Sequence, residues 1–259
     1  MKIAYASDVH LEHNPLSIQE CDAEVVILAG DIGTGLEGVW WAIREFDKFD
    51  SVKHVFYVPG NHESYGFNFL KLVRDMKSCA QGSKVKVLYN DLVDYKGFRF
   101  LGSTLWTNFK SVGDATFNKL QIVKSINDFA YIKIDPYCSV DGRRGKVVES
   151  ITTDFMELEY DKAVDFIFSN LSQEFEVTNV VITHWSPDST PAYSGRYPIN
   201  HVTSYFYNDL GNKIAYSPIK LWIHGHDHHS DVRAVGSTII TSNQRGYYDE
   251  QFELKIFHL

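Results

Sequence analysis

Residues 55–63 read Val-Phe-Tyr-Val-Pro-Gly-Asn-His-Glu, an apolar run that stops at a turn followed by polar side chains. The run at 55–58 is typical of a buried strand, and Pro59-Gly60 marks the turn at its end. The turn presents Asn61, whose side-chain oxygen is a modest metal ligand, beside His62, which exchanges protons near neutral pH. A surface turn with an ordinary histidine would explain the same residues, so the rest of the chain has to decide.

Two earlier apolar runs also end in candidate metal ligands. The strand predicted at 2–6 leads to Asp8 and His10, which would face the same way on an extended segment and reach one ion. Glu12, just beyond, is interpreted as solvated or as support for the ligands. The β-branched run at 24–29, typical of a strand covered on both faces, ends in Gly30-Asp31. Hydrogen bonding or a helix cap would explain each carboxylate alone, but both occupy the usual ligand position of open α/β sheets.

Two later apolar runs end in histidines. The strand predicted at 177–183 leads to His184, and the run at 221–223 leads to four histidines within six residues, at positions 224, 226, 228 and 229. Such a density is hard to explain as core or as solvated surface. Alternation places residues 224, 226 and 228 on one side of the chain and does not choose among them.

The segments between these runs predict alternating helices and strands. Apolar residues at helical spacing predict helices over about 36–46, with Trp40 on the buried face, and over 69–76 and 164–171. Strands are predicted at 85–89, 98–101 and 252–256, with turn signals at residues 90–91 and 96–97. The segment 104–150 is the least legible; it predicts a helix around 122–130 and a basic loop at 141–146, and it has the character of a lid or insert. The pattern favours a single α/β or α+β domain over residues 1–259.

Composition excludes several classes of protein. A chain of 259 residues with 44% apolar content can bury a large core, and its net charge of −8 lacks the basic excess of a dedicated duplex-DNA binder. Cys21, Cys79 and Cys138 show no metal-binding spacing, which favours a reducing compartment without disulfides. No signal-peptide pattern starts the chain and no apolar run approaches the ~20 residues that span a bilayer. We therefore expect a soluble, cytoplasmic protein without membrane contact.

The order of these blocks resembles the calcineurin-like metallophosphoesterase family. A metallo-β-lactamase pattern fails, because it would need aspartate at position 228 and would fall early in the sequence. Residues 102–106, 221–226, Asn243 and 245–247 also look like the small bacterial and phage-type members, so the resemblance covers nearly the whole chain. The matching blocks are Asp8-x-His10, Gly30-Asp31, Gly60-Asn61-His62-Glu63, His184 and Gly225-His226-x-His228.

The resemblance implies a fold and a metal-dependent reaction. The fold would be a four-layer αββα sandwich, two packed mixed β-sheets with helices outside. A hydroxide bridging two divalent ions would attack phosphorus directly, and His62 would protonate the leaving oxygen. Imidazole and carboxylate ligands favour Mn²⁺ first, with Fe, Zn or Ni as alternatives. The implied ligands are Asp8, His10, Asp31 and His228 for one ion and Asp31, Asn61, His184 and His226 for the other, with Asp31 bridging.

Departures from the family pattern leave the substrate open. Trp185 replaces a second histidine of close relatives, Gln244 replaces a proline, and residues 33–35 read Gly-Thr-Gly where protein phosphatases have Asp-Arg-Gly. A small phosphomonoester or phosphodiester is the leading interpretation. The candidate substrate contacts are Arg196, Arg245 and Tyr247.

Two other functions fit the same residues. One is a nuclease or cyclic-oligonucleotide phosphodiesterase acting on nucleotides or nucleic acid, weakly disfavoured because those branches commonly carry aspartate where this chain has Glu63. The other is a metal-binding scaffold without catalysis. The natural substrate, the choice between monoester and diester, the physiological metals and the oligomeric state are not determined by the sequence.

Overall fold

A computed structural model describes residues 1–135, 149–194, 198–247 and 252–259. Short 3₁₀ helices lie at His62–Ser64 and Thr190–Ser194, and the other elements are α-helices and β-strands. In chain order these are β1 (Lys2–Ala6), β2 (Val25–Leu28), α1 (Glu37–Phe46), β3 (His54–Tyr57), α2 (Phe69–Cys79), β4 (Val85–Val87), β5 (Asp91–Tyr95), β6 (Phe98–Ser103), α3 (Ala115–Ile122), α4 (Asp128–Tyr131), β7 (Lys133–Ile134), β8 (Glu149–Ser150), α5 (Thr153–Ser169), β9 (Thr178–Thr183), α6 (Thr203–Phe206), α7 (Gly211–Ala215), β10 (Ile219–His224), β11 (Val232–Val235), β12 (Thr238–Ser242) and β13 (Lys255–His258).

The strands form two large mixed sheets. The first has the order β13-β1-β2-β3-β4, in which β1 to β4 are parallel and β13 is antiparallel to β1. The second has the order β11-β12-β10-β9-β6-β5, with a parallel centre and an antiparallel strand at each edge. Because the central strands of each sheet run parallel, their carboxyl ends gather at one edge of that sheet.

Side-chain alternation stacks the two sheets. Val25 and Ile27 of β2 share one buried cluster with Val180 and Ile182 of β9. The intervening residue Val26 faces away from that cluster, toward helices α1 and α2. Val181 of β9 likewise packs toward α5. Each sheet therefore has both faces covered, which explains the uninterrupted apolar runs. The predicted four-layer αββα sandwich is confirmed.

Several local predictions differ from the structure. In α1, Trp40 is 56% exposed, whereas Trp41 is buried and its indole N–H donates to the carbonyl oxygen of Leu16. Strand β5 was not predicted; it pairs with β6 across a two-residue turn at Lys96-Gly97, where both residues have positive φ, as hairpin turns require. The helix predicted around 122–130 is instead the end of α3 followed by the short helix α4.

The described part of the segment 104–150 belongs to the core of the second sheet. Trp106, Phe109 and Ile122 are fully buried against α5 and the sheet. The basic loop predicted at 141–146 lies outside the described residues. Within the ranges that the structure describes, no helix combines the length and the apolar character needed to cross a bilayer.

Candidate metal centre

Five segments bring polar side chains to the edge where the carboxyl ends of both sheets meet. Within the first sheet, the backbone N–H of Asp8 donates to the Gly30 carbonyl at 2.9 Å, and that of His10 donates to the Asp31 carbonyl at 3.0 Å. Within the second sheet, Gly225 donates to the His184 carbonyl at 2.9 Å. The segments that carry the candidate ligands are thus cross-linked by their own backbones.

Side-chain atoms from these segments form three groups in which the atoms lie within 4.8 Å of one another. Asn61 joins the third group, because its Oδ1 lies 3.1 Å from Nε2 of His184. The structure therefore brings all seven predicted ligands and His62 into one connected cluster. The groups are Asp8, His10 and His228; His10, Asp31 and His62; and Asp31, His184 and His226.

The hydrogen bonding of the histidines fits ions held between them. Nδ1 of His184 donates to the Ala29 carbonyl at 2.8 Å, and Nε2 lies 3.2 Å from Oδ2 of Asp31 as the ring nitrogen that could bind an ion. Nε2 of His226 is buried and has no hydrogen-bond partner among the described residues. Nε2 of His10 lies 3.0 Å from Nε2 of His228. An orphaned nitrogen and facing imidazoles next to carboxylates are the donor set of a divalent transition metal.

The carboxylates at the centre are buried and attract positive charge. Burial would raise the pKa of Asp8, but the hydrogen bond and charge of His228 and the charge of His184 bring it down to about 2. Burial would lower the pKa of His184, but the Asp31 carboxylate raises it to about 10. A divalent cation would take the place of the proton that these carboxylates hold on His184.

Five of the seven candidate ligands have left-handed backbone. The φ angles are 51° at Asp8 and at His10, 55° at Asp31, 83° at His226 and 51° at His228. Such conformations cost about 1–3 kcal/mol each for residues with a Cβ and cluster at functional sites. The pairing predicted for Asp8 and His10 is present, but the predicted extended geometry was wrong, since β1 ends at residue 6 and both side chains are aimed by left-handed residues.

A glycine precedes three of the candidate ligands because a ligand from elsewhere packs against it. A Cβ atom on Gly30 would lie less than 3.0 Å from the imidazole of His184. A Cβ on Gly60 would be as close to the Asp31 carboxylate, and one on Gly225 as close to the Asp8 carboxylate. The absence of a side chain at these three positions therefore makes room for the ligands that pack against them.

Glu63 joins two ligand-bearing turns through a buried carboxylate. It accepts hydrogen bonds from the backbone N–H groups of Gly60 at 2.8 Å, Asp31 at 3.1 Å and Ile32 at 2.9 Å, and from the Tyr57 hydroxyl at 2.7 Å. Burial, with the nearby charge of Asp31, raises the pKa of Glu63 to about 7. The sequence analysis assigned no structural role to Glu63. Its position three residues after Gly60 is nevertheless typical of a carboxylate that caps its own turn.

Asp128, which sequence reasoning missed, fixes the orientation of Asn61. Its Oδ1 accepts from the Asn61 amide at 3.0 Å and from the Tyr65 hydroxyl at 2.8 Å, and its Oδ2 accepts from the Tyr205 hydroxyl at 2.5 Å. Because the Asn61 nitrogen is held by Asp128, the amide oxygen faces His184 and the candidate ion. Burial raises the pKa of Asp128.

His62 is held by a carboxylate and an aromatic ring. Glu12 Oε1 accepts from Nδ1 of His62 and from Nδ1 of His10, both at 3.0 Å. The His62 ring stacks on Tyr65 with centroids 4.3 Å apart. Burial would lower the pKa of His62, but the Asp31 charge and the Glu12 hydrogen bond raise it to about 9. Glu12 thus supports both the ligand His10 and the candidate proton donor.

The remaining predicted residues differ in position. His224 lies at the end of β10, where its Nε2 is 3.3 Å from the Arg233 guanidinium, and it is in none of the three ligand groups of the described residues. The Tyr247 ring lies 4.6 Å from the rings of His10 and His228. Arg196 lies outside the described residues.

The Arg245 guanidinium binds the loop that follows β1. It is buried and donates to the backbone carbonyls of Val9, Asn14 and Pro15, and Arg245 is absent from the described residues that line the adjoining cavity. These contacts stabilise the loop that follows β1.

A cavity of about 620 Å³ opens over the ligand cluster. Asp31, Asn61, His62, His226 and His228 line its inner end, together with Tyr65, Asp128 and Tyr247. The ligand cluster is therefore open on one side to a space large enough for a small molecule.

Comparisons with known proteins show the family and support the fold. The family model described as calcineurin-like phosphoesterase matches residues 1–230. A relative from Acanthamoeba polyphaga mimivirus, uncharacterized protein L509, is 29% identical over an alignment 276 residues long. The alignment covers 96% of this chain and 92% of that protein. The crystal structure of phosphopantetheinyl hydrolase (PptH) from Mycobacterium tuberculosis superimposes with a TM-score of 0.73 at 14% identity, covering 99% of this chain and 95% of the other, and shares the fold. The resemblance inferred from the sequence is thereby confirmed, and the chain belongs to the calcineurin-like phosphoesterases, which are metal-dependent phosphoric ester hydrolases.

Proposed function

We propose that the protein hydrolyses a phosphomonoester or phosphodiester with two divalent ions, Mn²⁺ being the first choice and Fe, Zn or Ni the alternatives. The observation that carries the proposal is the convergence of the ligand groups around Asp31, which lies within reach of both His10 and His184. Asp8, His10, Asp31 and His228 would hold one ion, and Asp31, Asn61, His184 and His226 the other.

The ions, when bound, would supply Lewis acidity at both the attacking and the leaving oxygen of an in-line displacement. The chain's own residues supply orientation and a proton. Asn61 presents its amide oxygen because Asp128 holds the amide nitrogen. His62, with Nδ1 bound to Glu12, keeps Nε2 as the ring atom that delivers a proton to the leaving oxygen. Hydroxide would attack phosphorus directly as the bond to the leaving oxygen breaks and that oxygen takes the His62 proton, so no covalent phosphoenzyme forms.

The test is a screen of purified protein reconstituted with Mn²⁺ against 4-nitrophenyl monoesters and diesters and a panel of nucleotides. We expect hydrolysis that a chelator abolishes and that Asp31→Ala removes. His54→Asn is the matched control, because His54 begins β3 at the end opposite the site. Full activity of the Asp31→Ala protein would reject the proposal.

Incubation with single strands, duplexes and cyclic dinucleotides separates the nuclease and cyclic-oligonucleotide alternatives from a small-molecule esterase. Failure of the metal-loaded protein to hydrolyse any ester of a broad panel would favour the scaffold alternative.

A further inference from the structure

The cavity is lined by apolar side chains as well as by the candidate ligands. The described lining includes Ile126, Pro191, Ala192, Val202 and Phe206, with polar residues such as Asn127 and Thr203 among them. A volume of about 620 Å³ lies within the range of pockets that enclose a whole small molecule. The organic part of a phosphoester bound next to His62 would contact these apolar side chains.

The described residues of the lining carry carboxylates and histidines but neither lysine nor arginine. Asp227, which also lines the cavity, is held in place by three donors. Its carboxylate accepts from the Tyr207 hydroxyl at 2.9 Å, the Gln244 amide at 2.5 Å and the His229 backbone N–H at 3.2 Å. A fixed negative charge therefore faces the space that the organic group would enter.

This distribution of charge disfavours substrates that carry a second anionic group. Polyphosphates and nucleic-acid strands are bound through arginine and lysine, which neutralise each phosphate. In this cavity a second phosphate or carboxylate would share the space with the Asp227 carboxylate, and the described lining residues include no lysine or arginine to neutralise it. The reacting phosphoryl group differs, because it lies at the metal-binding end.

Resting on the proposed function, we infer that the substrate is a small phosphoester whose reacting phosphoryl group is its only negative charge. Its organic group is uncharged and largely apolar, and it contacts the lining residues Ile126, Val202 and Phe206. Nucleoside polyphosphates and nucleic-acid strands are outside this class.

Arg196 requires its own arm in the test. It lies outside the described residues, and its chain neighbours Ser194 and Pro198 line the cavity. If Arg196 recognised a second anionic group, the wild-type protein would prefer the ester that carries one, and Arg196→Ala would lose that preference.

The test compares hexyl phosphate with 5-carboxypentyl phosphate in the Mn²⁺-loaded protein. The two esters have similar length and leaving-group pKa and differ in the terminal charge. We expect kcat/KM to be roughly tenfold higher for the uncharged ester, as repulsion between like charges at a partly screened distance predicts. From ethyl to hexyl phosphate, kcat/KM should rise about threefold for each methylene group that becomes buried.

Two variants trace the discrimination to its cause. Asp227→Asn should reduce the ratio between the two esters to within about threefold, whereas Tyr207→Phe, which removes a hydrogen bond and keeps the charge, should preserve it. Because both esters are measured in the same protein, a change in metal affinity cancels from the ratio. Val202→Lys, which adds a positive charge to the lining, should raise kcat/KM for the carboxylate ester roughly tenfold.

Equal rates for the two esters, a preference for the carboxylate, or no dependence on chain length would overturn the inference while the proposed function stands. Absence of hydrolysis of every ester, with Mn²⁺ binding confirmed by calorimetry, would overturn the proposed function and this inference with it.

Discussion

The two sheets hold their metal-binding residues by different means. On the first sheet, buried carboxylates do so: Glu63 binds the backbone of the turns that carry Asp31 and Asn61, and Asp128 binds the Asn61 amide. On the second sheet, His226 lies among aromatic rings, at 4.1 Å from Trp185, 5.1 Å from Tyr205 and 5.0 Å from Phe206.

The difference teaches which substitutions each half can accept. Hydrogen bonds to a buried carboxylate depend on matched donors and acceptors, so an isosteric change of charge leaves donors unsatisfied. Contacts between rings depend on volume and shape, so an exchange of one aromatic residue for another is better tolerated. The following predictions are ordered by their expected effect on activity.

Asp31→Asn should have the largest effect, because Asp31 is within reach of ligands on both sheets. Asparagine keeps the shape of the side chain. Its Oδ1 can still accept from the backbone N–H of His62, as Asp31 Oδ1 does at 2.8 Å. We expect kcat/KM to fall by roughly 10³-fold, equivalent to about 4 kcal/mol of lost stabilisation by the ions. The control is Asp22→Asn, a surface change; activity within tenfold of wild type in Asp31→Asn would contradict the central position of Asp31.

Glu12→Gln should slow the reaction according to the leaving group. Both imidazoles donate to the same oxygen, Oε1, which glutamine retains, but glutamine carries no charge. The pKa of His62 would therefore fall, and His62 would be a less effective proton donor. We expect kcat for phenyl or alkyl esters to fall about 10²-fold, and for 4-nitrophenyl esters, which need little protonation, only a few-fold. Equal losses for both classes would indicate that Glu12 acts through His10 alone.

Glu63→Gln tests the carboxylate half directly. The amide nitrogen of glutamine would face backbone N–H donors, and we expect a loss of about 2–4 kcal/mol in the free energy of unfolding and a 10–100-fold weaker affinity for Mn²⁺. Tyr57→Phe, which removes one of the four donors, is the graded control and should cost about 1 kcal/mol. Denaturant titration and calorimetry give the two readouts; unchanged affinity in Glu63→Gln would remove the contrast between the halves.

Trp185→Phe tests the aromatic half and should do less. Phenylalanine keeps a ring beside His226 but loses the indole hydrogen bond to the Tyr205 carbonyl at 2.8 Å. We expect about 1–2 kcal/mol of lost stability and Mn²⁺ affinity within about threefold of wild type. A loss of affinity as large as that of Glu63→Gln would show that packing and hydrogen bonding are equally stringent here.

Arg245→Met should have the smallest effect on activity. Removing the guanidinium leaves buried carbonyls of the loop after β1 without their donor, at a cost of about 1–3 kcal/mol in stability. We expect KM for phosphoesters to stay within about twofold, measured under conditions in which the variant is folded. A KM raised tenfold with unchanged stability would support the original interpretation of Arg245 as a substrate contact.

The ligand-bearing strand ends were predictable because two local signals coincide there, an apolar run and a turn with glycine. The same signals cannot reveal Asp128, which reaches Asn61 across 67 residues from a segment without clear periodicity. Helical spacing selected Trp40 for the core, whereas a hydrogen bond to Leu16 draws Trp41 inside. The left-handed backbone at Asp8 and His10 also could not be predicted from the preferences of these residue types. It is imposed by the long-range contacts that orient both side chains.

The start of helix α4 and the two residues before it contact both the cavity and a candidate metal ligand. Ile126 and Asn127 line the cavity, and the next residue binds Asn61. By thermodynamic linkage, any factor by which an occupant of the cavity strengthens metal affinity through this turn must equal the factor by which the metal strengthens binding of that occupant. Residues 126–128 therefore provide a route by which metal binding and substrate binding can be coupled within one subunit.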